Sequence, residues 1–322
     1  MSLCIIFGGA GFIGTHLAKH LIANKRFDRV HLADIRAPAD KIEGVSSSLT
    51  DVRNPIPGDL VDEKPEWIFN FAAIHREPGH ERHEYFDTNL AGARNVCAYA
   101  DSVECSNVYF TSSISVYGPT STATDETSPI CPNSPYGGSK YPAEVIHEAW
   151  LAGGSGKRLV ICRPGVVYGP GDPGNMLRMI TAVRRGYFAY PGSPDLFKSY
   201  AYIYGLLDSI DFVMGRDDSL ITYNYVETPT EPLGELVRQT KAFVGSNAPV
   251  FRIPTMLLTP AAALAQLIVG PKNPIHPVRV RKAAMSTHII PRVLQDMGFE
   301  FRYPFLKSVE HWQSVTPADF ES

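Results

Sequence analysis

The 322-residue sequence predicts an α/β fold built on a mostly parallel, doubly wound sheet. Three observations lead there. Short apolar runs alternate with helical patterns through the first half, a glycine cluster closes the first run, and beyond Pro164 the alternation loosens into Gly/Pro-rich loops. Strands that alternate with helices form right-handed βαβ units, and these build a parallel sheet of the Rossmann type. The looser remainder is expected to form a smaller C-terminal substrate domain.

In order, LCIIF from Leu3 reads as the first strand and THLAKHLIANK from Thr15 as helix. RVHLAD, EWIFNFAA, NVYFTSS and RLVICRP read as further strands, apolar and rich in β-branched or aromatic residues. Helices are expected over about 85–100 and 136–153. The boundary falls near 170: residues 1–170 form the dinucleotide-binding domain, completed by part of 200–240, and 171–322 the substrate domain, interleaved with it.

Thirty basic residues face thirty-three acidic ones, so no overall positive field invites nucleic acid. Five scattered cysteines without CxxC spacing read as small buried hydrophobes of a reducing, cytoplasmic protein, with neither disulfides nor a metal site. The longest apolar run, MLLTPAAALAQLIVG from Met256, is too short to span a bilayer and carries Pro260. It reads as a buried or interface helix, and no membrane partner is expected.

GGAGFIG, Gly8 to Gly14, follows the first strand and opens a helix. Glycines there allow a tight turn and a close approach of backbone to a pyrophosphate, and the helix start offers free N–H groups to the anion. Asp34 ends the second strand, where a carboxylate accepts both hydroxyls of an adenine ribose and repels a 2′-phosphate. NAD is therefore expected, with NADP left open by Arg36.

SPYGGSKYPAE places Tyr136 four residues before Lys140, one helical turn apart on one face. A phenol acting as a base near pH 7 needs about 4 kcal/mol of differential stabilisation from its ordinary pKa of about 10. One cation at roughly 5 Å supplies about 3 kcal/mol at an effective dielectric of about 20. The spacing alone is weak, since Tyr303 and Lys307 repeat it. What distinguishes the first pair is TSSISVYG, Thr111 to Gly118, whose Ser113 can donate or relay a hydrogen bond to the reacting oxygen.

Together these features resemble the extended short-chain dehydrogenase/reductase family, in its nucleotide-sugar epimerase/dehydratase branch. The markers are GGAGFIG, Asp34, DVR at Asp51, NFAA at Asn70, DTNLAGARN, SSISVYG, PYGGSK and RPGVVYGPGD. The resemblance implies NAD(P) bound by Gly8, Gly11, Phe12, Ile13, Gly14, Asp34, Asp51, Val52, Ala72 and Ala73. It places Asn89, Tyr136, Lys140 and Pro164 beside the cofactor as well. It further implies Tyr136 as base, Lys140 on the nicotinamide ribose, Ser113 against the sugar, and a homodimer through a four-helix bundle.

The 4,6-dehydratases of this family carry Asp-Glu directly after the position of Ser113, where this chain has Ile114 and Ser115. The pattern is thus most similar to a C4 epimerase of nucleotide-diphosphate sugars. The alternative is an NAD(P)H-dependent reductase of 4-keto-6-deoxy nucleotide sugars, suggested by GDPGNMLRMI with Asn175. A non-catalytic dinucleotide sensor and an enzyme of non-sugar alcohols are weaker alternatives. The second half departs from the family: Val166 stands where an Asn often contacts substrate, and Lys198 where an Arg meets the diphosphate. Expected substrate contacts are His75, Arg76, Ser113, Asn175, Lys198 and Arg281. His16 and His20 read as helix surface, and Arg279 with Arg281 as a surface strand.

Overall fold

The computed structural model describes residues 2–172, 174–254, 256–257, 260 and 277–321. The strands are β1 (Leu3–Phe7), β2 (Arg29–Asp34), β3 (Val45–Leu49), β4 (Trp67–Asn70), β5 (Asn107–Thr111), β6 (Thr120–Thr124) and β7 (Arg158–Pro164). They continue as β8 (Val166–Tyr168), β9 (Ala189–Pro191), β10 (Tyr200–Tyr202), β11 (Leu220–Tyr225), β12 (Phe251–Ile253) and β13 (Thr287–Ile289). The helices are α1 (Phe12–Ala23), α2 (Arg82–Ser102), α3 (Pro135–Ala152), α4 (Asn175–Arg184) and α5 (Ile203–Met214). α6 (Leu233–Val244), α7 (Pro277–Ala283), α8 (Arg292–Asp296) and α9 (Phe305–Val315) follow.

Seven strands form one sheet in the order β11-β7-β5-β4-β1-β2-β3. Every neighbouring pair in it is parallel. Strand side chains alternate between faces, and the core divides accordingly. Ile5, Phe7, Ile68, Val108, Phe110 and Ile161 pack with Ala93, Val96, Ala143 and Trp150 of α2 and α3. Cys4, Ile6, Phe69, Tyr109 and Val160 face the other layer, with Leu17 of α1, Leu206 of α5 and Trp312 of α9. The order reverses beside β1, so a crevice opens at the carboxyl ends of β1 and β4, where ligands of such sheets bind.

Two strands of the seven-stranded sheet had no strand pattern assigned to them, although part of 200–240 was expected to complete this domain. β3 reads VSSSL and is exposed along an edge, so it lacks the apolar run that marks a buried parallel strand. β11, from the chain's second half, returns to pair with β7 over six residues. The substrate half holds the short parallel pairs β8–β10 and β9–β12, while β13 pairs with β6.

Four local expectations change. His16 and His20 are not a free helix surface: their Nε2 atoms lie 3.0 Å from the Pro170 carbonyl and 2.7 Å from Asp211, fastening α1 to the neighbouring layer. Arg279 and Arg281 lie on helix α7 rather than a strand, because Pro277 serves as a helix start that a strand interior would not accommodate. Cys131 is exposed, unlike the other four cysteines. Most of the apolar run from Met256 lies outside the described residues; Met256 and Leu257 are exposed.

Candidate active site

The glycine loop is shaped by what surrounds it. Gly8 has φ +78°, and a Cβ there would stand 2.6 Å from the backbone nitrogen of Ala72 at the end of β4. Only glycine lets the two strand ends approach so closely. Gly11 caps α1 without a side-chain hydrogen bond, so the first N–H groups of the helix are left for an anion. Asp34 receives the Ala10 N–H at 3.1 Å on one carboxylate oxygen and the Arg36 N–H at 3.1 Å on the other. It thereby fixes the loop and stands at the β2 end where a ribose would lie.

Asp51 and Val52 follow β3. Arg53 grips the Asp51 carboxylate, with Nη2 2.6 Å away, and holds its pKa below the ordinary range. Val52 is buried, and its carbonyl accepts from Asn95 at 2.8 Å. Asn89 commits its amide to protein groups: it donates to Ser139 Oγ at 2.8 Å and accepts the Ile74 N–H at 3.0 Å. That pins the strand-end loop carrying Ala72 and Ala73 to α3. Phe12 and Ile13 open α1 and pack partly buried against the core, and Pro164 ends β7 opposite Tyr225. The backbone cradle, the free helix start and the ribose-side carboxylate all fit a dinucleotide.

The residues expected to react lie on segments that meet beside this crevice. Ser113 follows β5 and caps a 3-10 turn, Ile114–Val116, accepting the Ser115 N–H at 3.1 Å. α3 starts one residue before Tyr136, with Ser134 as its cap. The two segments touch at Gly137, where a Cβ would stand 2.2 Å from the Ser115 carbonyl oxygen. This contact sets Ser113 beside the Tyr136 phenol, while the Ser113 hydroxyl donates to Ser115 Oγ at 3.1 Å. Burial pushes that phenol up to about 12, and Ser113 opposes the rise.

Lys140 is 1% exposed, its Nζ 4.3 Å from the centroid of the Phe110 ring. Burial lowers it to about 7, and the Glu144 carboxylate one turn on opposes that fall. Phe110 is also stacked on His147 at 4.0 Å. The His147 Nδ1 lies 2.7 Å from the Ala143 carbonyl, so that nitrogen carries the proton and Nε2 accepts from Asn70 at 3.3 Å. Burial lowers this imidazole to about 4, which keeps it neutral.

Sequence reasoning missed the support beneath Lys140. Arg163 of β7 binds Glu144 through Nε at 2.9 Å and Nη2 at 2.7 Å, with both residues buried. Its Nη1 donates to the Tyr117 hydroxyl at 2.7 Å, which in turn donates to Asn224 Oδ1 at 3.0 Å. The i, i+4 spacing of Lys140 and Glu144 was the available signal; the partner on β7 was not readable from any local pattern.

The predicted substrate contacts divide. His75 lies exposed in the loop after β4, close enough to Lys140 to feel its charge; desolvation and the neighbouring Arg76 lower its pKa. The carbonyl of neighbouring Arg76 accepts from the Tyr85 hydroxyl at 2.5 Å. Asn175 opens α4 in an exposed position. Lys198 donates to the backbone carbonyls of Lys282 and Met285 at the end of α7. Its Nζ is thus engaged by protein, and burial lowers its pKa to about 8. Arg281 is exposed on α7, and Lys282 beside it pairs with Glu77, bridging α7 to the loop that holds His75. No group of three metal-ligating side chains occurs among the described residues.

Residues 4–212 match the model of the NAD dependent epimerase/dehydratase family. The chain belongs to that family. This epimerase/dehydratase is 26% identical over 311 residues to N-acetyl-alpha-D-glucosaminyl-diphospho-ditrans,octacis-undecaprenol 4-epimerase of Escherichia coli O157:H7. That match covers 95% of this chain and 92% of the relative. Among solved structures, MoeE5 in complex with UDP-glucose and NAD superposes with a TM-score of 0.77 at 21% identity, over 99% of both chains. UDP-glucose 4-epimerase of Thermotoga maritima gives 0.75 at 18% identity, over 99% of this chain and all of the other. These likenesses confirm the Rossmann-type sheet, and the family is that of NAD-dependent enzymes.

Proposed function

We propose that this enzyme epimerises C4 of a hexose carried on a diphosphate, with Tyr136, Lys140 and Ser113 as the reacting set. The observation that carries the reading is the half-buried Tyr136 between the buried Ser113 and Lys140 beside the dinucleotide cradle. NAD, when bound, accepts a hydride and returns it, and its positive nicotinamide ring favours a phenolate nearby. Gly8, Gly11, Phe12, Ile13 and Gly14 would hold its pyrophosphate and Asp34 its ribose. Asp51, Val52, Ala72, Ala73 and Pro164 would line the remainder, with Asn89 holding the loop in place.

Tyr136 takes the C4 hydroxyl proton and later returns it to the same oxygen, once the keto sugar has turned its opposite face to the cofactor. Its phenol must fall from about 12 toward neutral pH, roughly 7 kcal/mol of differential stabilisation. Protonated Lys140 contributes, as does exclusion of water from the site. Ser113 holds the substrate oxygen while its proton moves. Epimerisation also requires the keto sugar to turn over between the two hydride steps. His75, Arg76, Asn175, Lys198 and Arg281 are proposed to surround the sugar and diphosphate; Lys198 must first release its two carbonyls. The exposed Tyr141 and Val145 of α3, one turn apart, support a homodimer through paired α2 and α3 helices. We place the enzyme in the cytoplasm, where such substrates and free thiols occur.

A nucleotide is the first carrier to test. The full-length likeness to a 4-epimerase of a diphospho-undecaprenol sugar favours a polyprenyl carrier as the second. The experiment incubates protein without added cofactor with UDP-, GDP- and dTDP-hexoses and a polyprenyl-diphospho-N-acetylhexosamine, following the C4 proton by NMR. Interconversion of C4 epimers in any of them is the expected result. Turnover only of 4-keto-6-deoxy sugars with added NAD(P)H would replace the epimerase with a reductase.

A further inference from the structure

One surface has a chemistry that C4 epimerisation does not use. Between positions 236 and 295 the sequence carries eight Lys or Arg and no Asp or Glu, although the whole chain has a net charge of -3. The same stretch contains the apolar run that starts at Met256. Charge is therefore segregated along the chain, and the positive part also carries this apolar run.

In the structure, this stretch leaves large apolar side chains in water. Phe251 is 68% exposed, Met256 86% and Leu257 61%, with Ile253 at 38%. Phe251 and Ile253 lie two apart on β12, hence on one face of the strand. Tyr187, 64% exposed, joins them: Gly186 before it packs against Ala248, and β9 after it pairs with β12. Arg252 of β12 and Arg185, which caps α4 two residues before Tyr187, are exposed as well. The carboxylate facing Arg252 is Asp195, 3.9 Å away and itself 86% exposed, a pairing too weak to occupy the cation.

Single exposed apolar residues are ordinary, but a contiguous set on one strand pair marks a contact surface. The charge decides what it contacts. A second copy would set one acid-free positive segment against another, and the repulsion disfavours that. An anionic bilayer satisfies both features: aromatic and aliphatic side chains enter the interface while Arg and Lys meet the headgroups.

We propose that the β9–β12 surface, through Tyr187, Phe251, Ile253, Met256 and Leu257, docks the enzyme on an anionic phospholipid bilayer. This revises the expectation of no membrane partner; it is attachment from one side, and no described helix is long and apolar enough to cross. It stands independently of the sugar carrier, though it would bring the site to a lipid-anchored substrate.

The test is cosedimentation with phosphatidylcholine vesicles with and without phosphatidylglycerol, comparing the wild type with a variant combining Phe251→Ser, Ile253→Ser, Met256→Ser and Leu257→Ser. All four side chains face solvent, so the variant should keep its melting temperature. The wild type is expected to sediment with the anionic vesicles and to be released by high salt, and the variant to partition at least roughly tenfold more weakly. A wild type that stays in the supernatant at low salt overturns the proposal. So does a variant that sediments equally well, or a vesicle-free self-association by ultracentrifugation that the same substitutions abolish. The readout is lipid partition, so failure to find a sugar substrate leaves it interpretable.

Discussion

Two places in this chain carry a tyrosine with a lysine four residues on: Tyr136 with Lys140, and Tyr303 with Lys307. In the first, both residues lie in α3, the tyrosine in its opening turn and the lysine 1% exposed over an aromatic ring. In the second, Tyr303 precedes α9, its ring 5.2 Å from both Tyr202 and His311, and Lys307 points into solvent. Identical spacing thus yields a lysine buried beside the tyrosine proposed to react in one place, and a packing tyrosine with a surface cation in the other. Burial makes the difference. An ammonium held in a dry site can alter its neighbour's proton affinity by several kcal/mol, whereas one in water shifts it by about 1 or less.

The strongest test of that contrast is a pair of substitutions. Tyr136→Phe should lower kcat by roughly a thousandfold or more while cofactor binding, followed by fluorescence or calorimetry, persists. Tyr303→Phe should leave kcat near that of the wild type. A comparable loss in both variants would mean that position 136 matters only for packing.

Next in size is the support under Lys140. Arg163→Met strands the buried Glu144 carboxylate and is expected to cost about 3–5 kcal/mol in denaturant unfolding. Glu144→Leu combined with Arg163→Leu removes both charges and should recover most of that stability. If the double variant is as unstable as the single one, packing and not charge is what this pair contributes.

Lys140 itself makes a prediction with a definite sign. Its pKa falls from 10.5 to about 7 on burial, so between those values the unfolded chain binds the extra proton and stability rises with pH. Lys140→Met should abolish turnover yet raise thermal stability. The gain is largest below about pH 7, at up to about 5 kcal/mol, and vanishes above the unfolded pKa. Melting curves across pH that run parallel for the two proteins would exclude a buried charge at this position.

The smallest effect is expected at the hydroxyl. Ser113→Ala removes one hydrogen bond to the reacting oxygen and should lower kcat by about a hundredfold with little change in cofactor affinity. A change confined to KM would assign Ser113 to ground-state binding alone.

How much of this was legible in the chain depends on how local each cause is. LCIIF, the glycines after it, and the Ser134 cap followed by Pro135 each act within a few residues, so their elements stood out. β3 did not, because an exposed edge strand needs no apolar run. Lys198 stands where the family carries a phosphate-binding arginine, and the fold gives its ammonium to the carbonyls of Lys282 in α7 and Met285 just after it. The Glu144–Arg163–Tyr117–Asn224 chain joins four segments up to 107 positions apart, and only packing brings such residues together.

Sequence by itself determined the α/β alternation, the glycine-rich loop, the residues proposed to carry the chemistry and the acid-free positive stretch of the second half. Those follow from side-chain type and short spacing, which the covalent chain already contains. Only the tertiary structure decided which of two equal tyrosine–lysine pairs is buried, what holds Lys140 from below, and which apolar residues of β12 remain in water. Burial is set by neighbours distant in the chain, and proton affinity and exposure follow from burial.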